Sequence, residues 1–310
     1  MSKLHKRGIH KSSLLKSMQD GKLSHFLYLL SKNKDYVVLL RDDYFNVYYQ
    51  GGNVAKVKGI NSVEFDKQYF RQHTKKSDED YNLINGQIDK ATIFFKKGQY
   101  QEYLDLIIPA MDNYFALGLK SDEEKESQHQ LCVNNTFESS SEFTILDLEY
   151  EVSSESEFSY CGKRTTKKNG KPKPRFDIVT VRKSDGKICI MELKKGTGAL
   201  VNKSGIGEHA ESFEFTVGFS KEKEKLFVDE MRGVLNQMKT LHLINNNIEI
   251  LHDEVEYIFV FQEKKSEKTV NQVQVFRDKK QCEFRKYDIK NDYQAIELHD
   301  GDYILRANRL

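Results

Sequence analysis

The chain has 310 residues, 38% of them hydrophobic and 31% charged, and its 49 Lys and Arg nearly cancel its 47 Asp and Glu to a formal charge of +2. That balance excludes a uniformly basic surface, so any polyanion must be met by a local patch. The four cysteines, Cys132, Cys161, Cys189 and Cys282, form no C-x-x-C pair, which argues against a zinc knuckle or a disulfide framework and for reduced thiols in the cytoplasm. No apolar run approaches the roughly 18 residues that span a bilayer, and the Lys/His-rich start lacks the apolar core of a signal peptide, so no membrane partner is expected.

Residues 1 to 20 are basic and polar, an arm or a short helix. From about Leu23, short apolar runs rich in Val, Tyr and Phe are separated by Asn-Lys-Asp, Arg-Asp-Asp, Gly-Gly-Asn and Gly-Ile-Asn. That punctuation predicts an antiparallel meander filling a β-rich region, 1–75. Tyr44 and Tyr48, with Lys56 and Lys58 nearby, have the composition of a stacking platform for single strands, although ordinary sheet packing explains tyrosines in strands better. Residues 76–120 turn helical: Tyr100, Tyr103, Leu104, Ile107, Ile108, Met111, Tyr114 and Phe115 recur every three or four positions, with Pro109 a kink. A further helix opens at Ser121 with acids in its first turn, where the macrodipole favours them.

From residue 121 to 310 the pattern is that of a second domain. Strand Thr144 to Val152 places Asp147, Glu149 and Glu151 on the face of Ile145, opposite Leu146, Leu148, Tyr150 and Val152. A loop then runs through KRTTKKNGKPKPR, where Lys163, Arg164, Lys167, Lys168, Lys171, Lys173 and Arg175 occur with no acid among them. Such a loop can grip a phosphate backbone, the source of sequence-independent affinity. It feeds RFDIVTVRKSDGKICIMELKKG, two apolar runs joined by a Ser-Asp-Gly turn, which predicts a β-hairpin. Asp177 stands on its first strand and Glu192 and Lys194 on its second, the last two sharing a face. Two close carboxylates repel unless a cation lies between them, and a hard ion such as Mg²⁺, held by one or two carboxylates and water, suits that place.

After Lys194 comes a Gly-rich stretch with Lys195 and Lys203, ending in Glu208 and His209. It misses the P-loop pattern, because Thr197 and Asn202 stand where glycines are needed. His209 has the chemistry of a proton shuttle, though a lone histidine is more often structural. A helix over about 222–244 carries Phe227, Met231, Val234, Leu235, Met238 and Leu241 on one stripe with Gln237 on its flank. Strand Tyr257 to Gln262, a helix near Val270 to Phe284 and a short strand at Tyr303 to Leu305 complete the reading. The fold class expected is α+β, a mixed sheet flanked by helices and preceded by an antiparallel meander and helices.

An acid on one strand and Glu-x-Lys on the next resembles the PD-(D/E)xK nuclease superfamily, with its restriction-endonuclease-like and RecB-like cores. Phe176 stands at the position of the family's proline. The resemblance implies a metal-dependent hydrolase of phosphodiester bonds, with DNA the favoured nucleic acid and phage defence or DNA processing as its setting. It implies Asp177 and Glu192 as ligands of Mg²⁺ (or Mn²⁺) and Lys194 as the catalytic lysine. By the same likeness Glu126, on the helix before the core, and Gln237, on the helix after it, join the site. Lys168, Lys171, Lys173, Arg175 and Lys195 would hold the nucleic acid, and a homodimer is compatible with the family. The alternatives are an inactive nuclease-fold module that binds nucleic acid or a partner protein, and an N-terminal region that gates the nuclease.

Overall fold

The computed structural model describes residues 7–71, 78–118, 123–136, 141–152, 174–201, 205–262, 272–289, 291–299 and 301–306. The fold is α+β, a four-stranded antiparallel sheet and a five-stranded mixed sheet with helices, as the pattern of the sequence predicts. Two units result: described residues 7–133 with 237–243, and described residues 134–236 with 244–306. The first unit holds both the β-rich and the helical segments, and the chain passes to the second near residue 133.

The first unit opens with two helices, α1 (Ser12–Gln19) and α2 (Lys22–Ser31). The second corrects the expectation that the meander begins at Leu23. Leu23, Phe26, Leu27 and Leu30 are all buried, at the spacing of one helical face, and only after the Asn33 turn does the chain extend. The sheet is β1 (Val37–Leu40), β2 (Phe45–Tyr49), β3 (Gly52–Gly59) and β4 (Ser62–Glu64), paired in chain order. Helices α3 (Asp78–Lys97), α4 (Tyr100–Ala116) and α5 (Glu123–Thr136) follow. Phe26, Phe95, Tyr100 and Tyr103 form one aromatic cluster with neighbouring centroids 5.1–6.3 Å apart, and the buried Tyr103 hydroxyl donates to the Val54 carbonyl at 2.6 Å. The tyrosine platform does not present itself: the Lys56 ammonium lies 4.6 Å over the Tyr44 ring, and Lys58 pairs with Glu64.

The second unit holds β5 (Phe143–Glu151), β6 (Arg175–Arg182), β7 (Lys187–Lys195), α6 (Ile206–Glu214), most of α7 (Lys221–Thr240), β8 (Val255–Gln262), α8 (Gln272–Lys286) and β9 (Gln294–Leu298). The strand order is β5-β6-β7-β8-β9; β5, β6 and β7 are antiparallel, and β8 and β9 run parallel to β7. The central strand, β7, is therefore buried along nearly its whole length, which explains the continuous apolar run ICIM. The hairpin turn is closed by a Gly186 N–H to Arg182 carbonyl bond of 2.9 Å. Gly186 has φ +71, and a Cβ there would meet the Glu249 carbonyl at 2.8 Å, so both conformation and space call for glycine. Phe213 of α6 stacks on Tyr257 of β8 at 4.8 Å, Phe276 of α8 lies against Phe259 and Phe261, and Phe227 of α7 meets Tyr150 of β5 edge-on. The expected terminal strand at 303–305 is not one; the strand is β9, and Leu305 is instead tied by its backbone to Glu142 and Asn135.

Candidate active site

The register Ile178↔Met191 through Arg182↔Lys187, carried one residue further, sets Asp177 opposite Glu192, so the two acids share a level on neighbouring strands and a face of the sheet. The ladder ends there, and the Asp177 carboxylate takes over as acceptor: its Oδ2 receives the Leu193 N–H at 2.9 Å. Asp177, Glu192 and Lys194 are 6%, 2% and 3% exposed. Lys194 Nζ lies 3.1 Å from Glu192 Oε1, as two residues on one face of a strand allow. The structure thus buries all three residues that the hairpin pattern singles out, joins Glu192 to Lys194 and bonds Asp177 to the backbone between them.

Two further groups complete the cluster. His209 of α6 places Nδ1 2.5 Å from Glu192 Oε1, and the Tyr257 hydroxyl donates to Oε2 at 3.4 Å. Burial pushes the Glu192 carboxyl upward, but the charges of His209 and Lys194 beside it prevail and hold it down at about 2. Burial, with the Glu192 and Asp177 charges next, raises the Tyr257 hydroxyl well above its ordinary value, so Tyr257 is a fixed donor. The site is an ionised, water-excluded carboxylate with donors on both oxygens. A cis-strand lysine was legible in the sequence; His209 and Tyr257 come from elements far along the chain.

Other expected residues are placed differently. Gln237 spends its amide on the N-terminal segment: Oε1 accepts the Ile9 N–H at 2.7 Å and Nε2 donates to the Ile9 carbonyl at 3.0 Å. Gly8, at φ +108, lets that amide approach, since a Cβ there would meet Oε1 at 2.9 Å. Gln237 therefore serves as a main-chain clamp in the first unit, not as the active-site glutamine that the resemblance implies. Glu126 is an exposed residue of α5, also in the first unit. Arg175 opens β6 and pairs with Glu149 at 3.5 Å, and Lys195 closes β7 in register with Gln262. Lys168, Lys171, Lys173 and Lys203 lie outside the described residues.

The acidic face of β5 also departs from simple alternation. A bulge between Ile145 and Asp147 takes Ile145 out of line, and Glu149 adopts φ +50. Asp147 is 1% exposed and accepts the N–H of its neighbour Leu148 at 2.8 Å. No group of three or more His, Cys, Asp or Glu side chains arranged to hold an ion occurs among the described residues. Mg²⁺ needs no such cage: one or two carboxylates suffice, with water in the remaining positions. Asp177 and Glu192, hard oxygen donors at one level with Glu192 ionised, fit that requirement.

No family model, curated protein or solved structure matches the chain. Among the described residues no helix is long and apolar enough to cross a membrane.

Proposed function

We propose that the chain is a Mg²⁺-dependent nuclease of the PD-(D/E)xK type, with a restriction-endonuclease-like core in its second unit, acting in the cytoplasm on nucleic acid, DNA in particular. The observation that carries this reading is the buried Glu192–Lys194 pair at the end of the central strand with Asp177 opposite it on the next strand. Burying two acids and an ammonium costs several kcal/mol per ion before pairing, a cost that packing alone gives no reason to retain. Asp177 and Glu192 would hold the ion, which supplies charge neutralisation at the phosphoryl oxygens and a more acidic attacking water. Lys194, its Nζ 3.1 Å from Glu192, would donate to a phosphate oxygen or orient that water. Lys195, Arg175 and the basic run before it supply cationic contacts to the backbone.

The test is cleavage of plasmid, single-stranded DNA and RNA with Mg²⁺ or Mn²⁺, in EDTA, and by Lys194→Ala. Cutting should vanish in EDTA and fall at least about 100-fold in the variant, the range of one lost electrostatic contact in the transition state. Cleavage that persists in EDTA, or equals the parent in Lys194→Ala, rules this site out. A second reading draws on the donors that surround Glu192: an inactive module of the same fold whose buried ion pairs are purely structural. It predicts retention of nucleic acid in a gel shift without cleavage in either metal.

A further inference from the structure

We infer that His209 is a gate on the candidate cation site, and that its imidazole must leave Glu192 Oε1 before a divalent ion can take that oxygen. The inference rests on the reading of Asp177 and Glu192 as cation ligands.

Both oxygens of Glu192 have donors, and Oε1 holds the two shorter contacts. Oε1 faces both His209 Nδ1 at 2.5 Å and Lys194 Nζ at 3.1 Å, and Oε2 faces the Tyr257 hydroxyl at 3.4 Å. A carboxylate oxygen has two lone-pair directions, so Oε1 has none left for an ion that requires contact at about 2.0–2.1 Å. An ion at Oε1 requires one of these donors to withdraw.

The structure distinguishes which. Lys194 and Tyr257 are each 3% exposed. They stand on β7 and β8, whose backbones are locked by a parallel ladder running from Ile188↔Val255 to Lys195↔Gln262. The Lys194 ammonium is enclosed and has no solvent to turn into, and swinging Tyr257 out would break the aromatic layer in which it contacts Phe213, Phe259 and Tyr293. His209 stands instead on the nine-residue helix α6, and its side chain is 26% exposed. Rotation about its own side-chain bonds carries the imidazole toward solvent while Phe213, one turn further along the same helix, keeps α6 seated on Tyr257. His209 is the donor that can leave without unfolding anything.

Glu192 would then exchange one positively polarised partner for another. While His209 is in place it stabilises the buried carboxylate, and the ion must displace that interaction. Removing the imidazole should therefore tighten ion binding by about 10- to 100-fold, the equivalent of one hydrogen bond to a charged group.

Calorimetric titration of the full chain with Mn²⁺ tests this, comparing the parent with His209→Ala, His209→Gln and Glu192→Gln, each first shown to be folded by its melting curve. The expected order of affinity is His209→Ala tightest, His209→Gln between, the parent weaker, and Glu192→Gln without binding. In parallel, the imidazole ¹H–¹⁵N spectrum of the parent should show the His209 Nδ1 signal shift on adding Mg²⁺. Equal or weaker binding by His209→Ala, with the parent binding normally, overturns the gate and leaves the cation site standing. Absence of binding by both proteins, or binding that survives Glu192→Gln, overturns the cation site itself.

Discussion

In the antiparallel sheet β1–β4, Lys58 reaches Glu64 at 2.6 Å with 44% and 55% of the two side chains exposed, whereas in the mixed sheet Lys194 meets Glu192 at 3.1 Å with 3% and 2% exposed. The first sheet keeps its acid–base pair on the rim, and its buried cation, Arg41, meets the Tyr48 hydroxyl at 3.3 Å while burial lowers its pKa. The second sheet gathers charges of both signs inside, at the end of its central strand. Exposed pairs contribute little, and buried ones stand only if every partner is present. Opposite charge in a sheet is thus a scaffold detail in one place and a candidate site in the other, and only burial distinguishes them.

The largest effect should come from the buried pair. Lys194→Met keeps the apolar stem but leaves Glu192 short of one cation, and urea denaturation should show a loss of about 3 to 5 kcal/mol; a loss below about 1 kcal/mol would mean that the pair is not the closed, buried unit described. Next comes acid. With its carboxyl near 2 in the folded chain against an ordinary 4.5, Glu192 contributes stability that is present above pH 4.5 and disappears as pH falls toward 2. The amount is about 3 kcal/mol, and denaturation in EDTA across that range should show it in the parent but not in Glu192→Gln.

Smaller effects probe the first unit. Tyr103→Phe strips the Val54 carbonyl of its buried donor and should cost about 1 to 2 kcal/mol; no change in melting would show that water replaces the hydroxyl. Thiol labelling at pH 8 should spare Cys189, whose thiol burial pushes up to about 12, and modify the exposed Cys282. Mass mapping that finds Cys189 labelled as fast as Cys282 would show β7 opening readily. Lys58→Ala should leave denaturation unchanged within error, and a clear loss there would erase the contrast between the sheets.

The hairpin was the most legible part of the chain because its signals are local: β-branched runs, Ser-Asp-Gly, and acids at fixed offsets. Strand alternation puts Glu192 and Lys194 on one face, and the hairpin with the resemblance to the superfamily adds Asp177. Helix α2 was misread because Leu, Tyr and Phe suit strands and helices alike, and the i, i+3, i+4, i+7 spacing of Leu23, Phe26, Leu27 and Leu30 was the arbiter that composition obscured. Strand β9 was missed because its five residues, QAIEL, carry weak β-propensity and owe their conformation to pairing with β8. His209 was read as a lone histidine, since nothing in sequence ties position 209 to position 192. Gln237 shows the converse: a polar residue on a helix flank fits the superfamily's pattern, while its amide is committed to the backbone of Ile9.

The parallel pairing of β7 with β8 has a kinetic consequence. Strands β6 and β7 meet through a four-residue turn, but β8 joins only after the chain over residues 196–254 has looped back, and loop closure of that length is entropically slow beside hairpin formation. Until then Glu192 has Lys194 beside it but neither Tyr257 above it nor the α6 seat that Tyr257 provides for Phe213. The chemistry of this molecule is therefore assembled late: a nascent chain that has formed its hairpin already contains the acids and the lysine, yet cannot shield them from water until its last strands dock.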